Sequence, residues 1–438
     1  MTDFLAGRLQ MAVSLGFHII FASIGMTMPF FMFAAESIWL RTNNKMYLQL
    51  AKAWSKGVAI FFAVGAVSGT VLSFEFGMLW PSFMKHAGPI FGLPFSWEGT
   101  AFFLEAIALG LFLYGWKKLN KWVHLFTGLV VGLAGVLSGI FVISANAWMN
   151  APAGFDWIDG QPVNIDPVKA MFNRAWFSES HHMIIAAFSA TGFAVAGIHA
   201  LLYKRSRMKI HLAALIIAMA FGAVAAIVQP LSGDNAAKNV AKLQPAKLAA
   251  LESHFKTGKG VPLIIGGIPK VDQDTVVHAI RIPKLLSFLA YKDFNAEVIG
   301  LEDFPRDEWP PVVISHFSFQ FMVLIGFLMA AIGILFFLIR WKWKGILEKK
   351  WWLTLLFILT PLGFIAIELG WTVTEVGRQP WIIYGILKTQ DSLTPMPGLW
   401  YTFSTVSTIY LILSFIVIWL LSRQIKALQN ENVNNGLS

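Results

Sequence analysis

The sequence predicts an all-α, polytopic membrane bundle of about nine transmembrane helices, with one long extracytoplasmic loop between helices six and seven. Three observations carry this. Hydrophobic residues make up 56% of the 438-residue chain and charged residues only 13%, where a soluble domain has about 25% charged. Apolar stretches of the roughly 20 residues needed to cross a bilayer recur along the chain. Basic residues gather after every second stretch.

The nine stretches are residues 9–34, 58–79, 97–116, 123–148, 183–203, 212–231, 312–339, 352–374 and 399–421. Arg41, Lys45, Lys52 and Lys56 follow the first, Lys117, Lys118 and Lys121 the third, and Lys204, Arg205, Arg207 and Lys209 the fifth. Arg340, Lys342, Lys344, Lys349 and Lys350 follow the seventh, and Arg423 and Lys426 the ninth. By the positive-inside rule the N-terminus is expected outside and the C-terminus in the cytoplasm of a bacterial cell membrane. The net charge of +10 therefore sits in short loops, which excludes a nucleic-acid partner in favour of membrane lipid. Trp341, Trp343, Trp351 and Trp352 lie where an interfacial aromatic belt belongs. No removable signal peptide is expected at the N-terminus.

The expected organisation is helices one to six over residues 1–231, the outer loop over 232–311, helices seven to nine over 312–421, and a polar, disordered tail over 422–438. Within the loop, residues 245–255 (PAKLAALESHF) read as a short helix. The loop is either a solvated decoration or a docking site. The chain has no Cys. Disulfides, thiolate-held clusters, covalently attached c-type haem and a Cys nucleophile are excluded, so bound iron would use His, Met or carboxylate.

Ionisable side chains inside lipid are costly and usually serve a function. His18 lies within span one, as a packing residue, a ligand or a relay. His181 and His182 open span five; neighbours on a helix point about 100° apart, so both cannot hold one metal. Met322 lies near the outer end of span seven. Its bland reading is packing, but His plus Met from two helices is an available haem ligation. Glu98 and Glu105 are two turns apart, about 10 Å on one face of span three. They read as a proton relay or as buried neutral acids. Glu368 and Glu375 repeat the spacing, and Gly377 and Pro380 should end that helix after Glu375, which could ligate iron or pair with Arg378. His86, His124, His199 and His211 read as interfacial, and His316 is ambiguous.

These residues sit in familiar company. Residues 377–381 (GRQPW), preceded by 370–375 (GWTVTE), resemble the quinol-oxidation signature of cytochrome bd oxidase subunit I. Residues 8–18 (RLQMAVSLGFH) resemble that family's first helix, and 75–116 its second and third. Residues 145–155 (ANAWMNAPAGF), 164–172 (NIDPVKAMF) and 244–252 (QPAKLAALE) match in order as well. The outer loop resembles the family's shorter form.

The resemblance implies a low-spin haem b, a high-spin haem b and a haem d or further haem b. It implies His182 and Met322 as low-spin ligands, His18 as the ligand of one high-spin haem and Glu375 of the other. Arg8, Trp371, Gln379 and Trp381 fall in its haem- and quinol-proximal motifs. Glu98 resembles the acid beside the oxygen-reducing haem and Glu105 its neighbour on the proton route. Lys247 and Glu252 resemble the quinol-interacting pair, with Arg378 from the signature. Being about 140° apart on a helix, Lys247 and Glu252 do not bridge one another. Gln320 departs from members that carry Arg there. The implied function is oxidation of menaquinol or ubiquinol at the outer face and reduction of O2 to water with cytoplasmic protons. Proton motive force would arise without pumping. The implied partners are a related membrane subunit II and sometimes a small single-span subunit. A proton-coupled transporter and a b-type cytochrome that only relays electrons are the alternatives; the first would show an inverted repeat, which is not seen.

Overall fold

A computed structural model describes residues 2–434. Its elements in chain order are α1 (Asp3–Thr42), α2 (Lys45–Leu79), α3 (Pro81–Tyr114), α4 (Lys121–Asn150), β1 (Asp156–Ile158), β2 (Gln161–Val163), α5 (Pro167–Met171), α6 (Trp176–Ser206), α7 (Lys209–Leu243) and α8 (Pro245–Leu251). There follow β3 (Gly258–Lys259), β4 (Leu263–Lys270), β5 (Thr275–Ile282), α9 (Leu285–Tyr291), β6 (Glu297–Val298), α10 (Val312–Lys342), α11 (Lys350–Ile358), α12 (Leu362–Val376), β7 (Trp381–Ile383), β8 (Leu387–Lys388) and α13 (Leu399–Asn434). Among the described residues, nine helical stretches are long and apolar enough to cross a membrane, with α11 and α12 forming one of them.

The helices outrun the apolar stretches. Asn44 caps α2 by accepting from the Met46 N–H, so α2 starts 13 residues before the apolar run at 58. Helix α7 continues to Leu243 through the polar stretch after Leu231, so the connecting segment begins at Gln244, not 232. Helix α13 runs to Asn434, so the tail expected to be disordered from 422 is helical that far; residues 435–438 lie outside the described residues. The eighth span, expected as one helix, is two. Pro361 has no N–H to donate and crowds the carbonyl four residues back, and α11 ends at Ile358 before α12 starts at Leu362.

Helices α6 and α7 lie closest: a Cβ added to Gly192 would stand 2.4 Å from the Gly222 Cα. Small residues let backbones touch where lipid supplies no hydrophobic drive. The main core gathers Phe31, Leu50, Phe193, Met219, Phe336 and Trp352 from six helices. Apolar side chains such as Phe103 and Ile107 on α3 and Phe415 and Ile418 on α13 point outward, as suits a bilayer solvent.

Three histidines expected at the interface are buried. His124 Nδ1 lies 2.7 Å from Glu36 Oε1, and His199 and His211 face each other through Nδ1 atoms 3.1 Å apart. Each meets a side chain on another helix, which apolar runs alone do not reveal.

Segment 244–311 holds α8, α9 and the β4–β5 hairpin. His316 of α10 is fully buried and binds the Leu251 carbonyl at 2.9 Å and the Gly266 carbonyl at 3.2 Å. Gln320 donates to the Ile264 carbonyl and accepts from the Gly266 N–H, both at 3.1 Å. Those bonds dock the segment on the bundle end that also carries the starts of α1, α6 and α13 and the ends of α4 and α12.

Candidate active site

Near that end, α6 begins because Asn173 Oδ1 accepts the N–H groups of Ala175 and Trp176, both at 3.0 Å. One and a half turns on, His182 turns toward α7. Its Nδ1 lies 3.2 Å from Ser232 Oγ, and the Gln229 amide lies against its ring. His181 turns away, its Nδ1 2.6 Å from the Phe177 carbonyl and its ring stacked on Phe177. Ser232 can fix the His182 tautomer, as outer partners of ligating imidazoles do, and Nε2, 3.2 Å from the Gln229 amide nitrogen, would meet a metal once that amide turns aside.

Met322 Sδ lies 3.1 Å from where a Cβ on Gly370 would stand, so α12 is bare where the thioether meets it. Trp371, the next residue, has a buried indole N–H with no acceptor. His18 on α1 meets α2 similarly: its Nδ1 is 2.9 Å from Ser68 Oγ, and its ring fills the space of a Gly69 Cβ. Glu368 comes 3.0 Å from a Cβ position on Gly16 and keeps a buried oxygen without a partner. It faces an open groove of about 370 Å³ lined by Ile20, Pro361, Phe364, Ile365, Leu369 and Thr372. Glycine cradles and unpartnered buried polar atoms fit a flat prosthetic group between these helices. Arg8 lies over the Phe4 ring, 5.5 Å from its centroid.

On α3, Glu98 and Glu105 face α4. Ser138 Oγ donates to Glu98 at 3.4 Å, and both Glu105 oxygens lie 3.5 Å from the Cβ position of Gly135. One face of α3 thus carries both carboxylates, each with sparse polar company.

The densest polar cluster joins α4, α6, α8 and the end of α12. Asn150 Oδ1 accepts from Lys247 Nζ (3.0 Å), Arg378 Nη1 (3.0 Å) and Gln244 Nε2 (3.3 Å), while its amide donates to Glu179 (3.0 Å) and Asn146 (3.2 Å). Glu375 takes Asn146 on one oxygen and Arg378 on the other, the latter at 2.5 Å. Lys247 and Arg378 are 3% and 1% exposed, so this charge is shielded from water. Burial, then the neighbouring Arg378, pushes the Lys247 ammonium below the usual lysine range.

Lys247 and Arg378 line a cavity of about 30 Å³ together with Phe304, Glu308, Trp381 and Tyr384. Gln379 lines it too, its amide donating to the Glu375 carbonyl at 3.3 Å and its Oε1 accepting from Thr389. Glu252 does not line it. That carboxyl is buried at the end of α8 with one oxygen unpartnered, and burial pushes it up to about 8. The cluster members Asn146, Asn150, Glu179, Gln244 and Glu308 were not singled out by sequence. Asn146 and Asn150 stand four apart in the ANAWMN stretch, a helical spacing that could have marked them; Glu308 sits in a loop with no pattern to mark it.

The family model for cytochrome bd terminal oxidase subunit I matches residues 6–429. This chain belongs to that family. A cytochrome bd ubiquinol oxidase subunit 1 of Bacillus subtilis (strain 168) is 30% identical over 444 residues, 97% of this chain and 94% of the relative. A second protein of that strain, provisionally named a cytochrome bd menaquinol oxidase subunit I, is 34% identical over 430 residues, 96% of each chain. The solved bd oxidase of Geobacillus thermodenitrificans superposes with a TM-score of 0.92 at 36% identity, over 97% of this chain and 99% of that one. As a family member the chain is a membrane-spanning subunit of a terminal quinol oxidase, and the family is haem-containing.

Proposed function

We propose that this subunit oxidises quinol at the bundle end carrying residues 244–311, and that α3 delivers protons to oxygen reduction deeper in the bundle. The buried Lys247–Asn150–Arg378 junction beside the cavity supports the first half. Two cations and an aromatic wall suit a quinol head group whose oxygens gain negative charge as it is oxidised. The alternation of Lys and Arg supports placing this end outside and the C-terminus in the cytoplasm.

The donor sets suit three haems: a low-spin haem b, a high-spin haem b, and a haem d or a further haem b. His182 and Met322 would hold the low-spin haem, His18 one high-spin haem and Glu375 the other; at Glu375 an iron would replace Asn146 or Arg378 on one oxygen. When bound, these groups supply one-electron transfer and an open iron position for O2. The chain's own residues do the rest. Ser232 orients the His182 ring, and Ser68 orients His18. Lys247 and Arg378 bind the quinol, with Trp381 beside the ring. Glu105 and then Glu98 hold protons that move outward from the cytoplasmic side. Charge separates because quinol protons leave outside while consumed protons come from inside, so no pump is required. The complete enzyme includes subunit II, and a single-span subunit in some assemblies; either menaquinol or ubiquinol suits the site.

The test compares two electron donors in Lys247→Met, co-expressed with subunit II. Quinol oxidation should fall at least tenfold, with KM raised. Oxidation of tetramethyl-p-phenylenediamine, which has no hydroxyl group to bind, should stay within twofold. Equal loss with both donors would reject the quinol site.

A further inference from the structure

The cavity that Lys247 and Arg378 line carries charge of both signs. Glu308 lines it with them, the one carboxylate among its lining residues. Glu308 is held in place. It closes the short turn Arg306–Glu308, whose Arg306 pairs with Asp274 at 2.8 Å and stacks over Trp309. From β8, Lys388 Nζ reaches Asp307 at 3.1 Å and Glu308 at 3.8 Å while lying over the Trp381 ring, 5.4 Å from its centroid. The Glu308 side chain is 31% exposed, so it touches both the cavity and outside water. Arg378 has a buried Nε without a partner and lines the same space.

We propose that Glu308 is the general base that removes the first proton from quinol, an inference that rests on the quinol site above. In this step one quinol O–H bond breaks and its proton bonds to a Glu308 oxygen. The electron pair stays on the quinol oxygen, giving the monoanion. Lys247 and Arg378 face that anion, and the electrons then leave in the oxidase's established reaction. Glu308 passes the proton to water through its exposed face. The other ionisable groups around Glu308 are Lys388 of β8, Tyr384 of the turn before it, Asp307 on its own turn, and Lys247 and Arg378 in the lining of the same cavity. The cavity is small: a water needs about 10–15 Å³ by this measure. A quinol ring is larger than this space, so the elements that line it must part to admit one; Lys388 is a contact that joins the β7–β8 hairpin to the turn at Asp307 and Glu308.

The experiment uses the assembled enzyme carrying Glu308→Gln, assayed with ubiquinol-1 and menadiol, with tetramethyl-p-phenylenediamine, and for binding of a 4-hydroxyquinoline N-oxide. General-base removal is worth roughly 100-fold or more. Quinol kcat should fall by about that factor, inhibitor binding should change less than threefold, and the aniline donor should be oxidised as before. Added formate should restore part of the quinol rate, since Glu308 is reachable from water. Quinol kcat within twofold of wild type, or an equal fall with the aniline donor, would overturn the assignment. The Lys247→Met arm separates the two readings. If it leaves quinol KM and inhibitor binding unchanged, the quinol site itself is misplaced. If it weakens both while Glu308→Gln does nothing, the site stands and the role of Glu308 falls.

Discussion

The polar cluster around Asn150 and the carboxylate pair on α3 treat charge in opposite ways. Around Asn150, five side chains converge from four elements and nearly every charge meets an opposite charge or an amide. On α3, Glu98 has one long hydrogen bond from Ser138 and Glu105 packs on bare Gly135. A closed network holds groups still and suits binding. Sparse partners leave a carboxylate free to take up and release a proton, which suits transfer. The contrast supports the proposed division, with quinol binding in one region and proton delivery in the other.

The comparison can be broken at several points, the largest effect first. Arg378→Leu should remove the assembled enzyme from membranes, measured as haem per protein, because it takes away the buried guanidinium that both Glu375 and Asn150 bind. Losing one partner of a buried pair costs about 3–5 kcal/mol. His182→Ala should abolish the low-spin haem band while His181→Ala keeps it; the reverse would shift the ligand by one residue. Glu98→Gln should slow steady-state oxygen consumption about 100-fold or more, and an unchanged rate would end its relay role. Ser138→Ala should slow it only a few-fold, since the bond it removes is long.

Glu252→Gln sharpens the comparison through pH. Burial raises the Glu252 carboxyl to about 8, above its unfolded value near 4.3. The folded state then holds the extra proton, and wild-type stability falls as pH rises from that unfolded value to about 8. The Gln variant carries no such group. Its melting temperature should match wild type near pH 4, exceed it increasingly up to pH 8, and stay a few degrees higher beyond. A pH-independent difference would mean that Glu252 is ionised through a partner.

The nine spans were legible because a bilayer demands a run of apolar residues of fixed length. The helix ends were not, since a helix continues into water wherever capping allows, as α2 does from Asn44 and α7 does to Leu243. The break at Pro361 was hidden inside an apolar run. Periodicity placed Glu98 and Glu105 on one face and set Lys247 apart from Glu252, and the structure shows both arrangements. It could not choose between His181 and His182, because that choice depends on which helix lies opposite. Nor could it find Glu308, which reaches the cavity only through the folding of a long loop on α10.

Rapid anaerobic mixing with quinol, followed by oxygen, tests the division most directly. In Lys247→Met the low-spin band should stay oxidised after quinol is added. In Glu98→Gln it should be reduced at the wild-type rate and then be reoxidised slowly by oxygen. If the two variants fail at the same step, binding and proton delivery are not separate, and the account is contradicted.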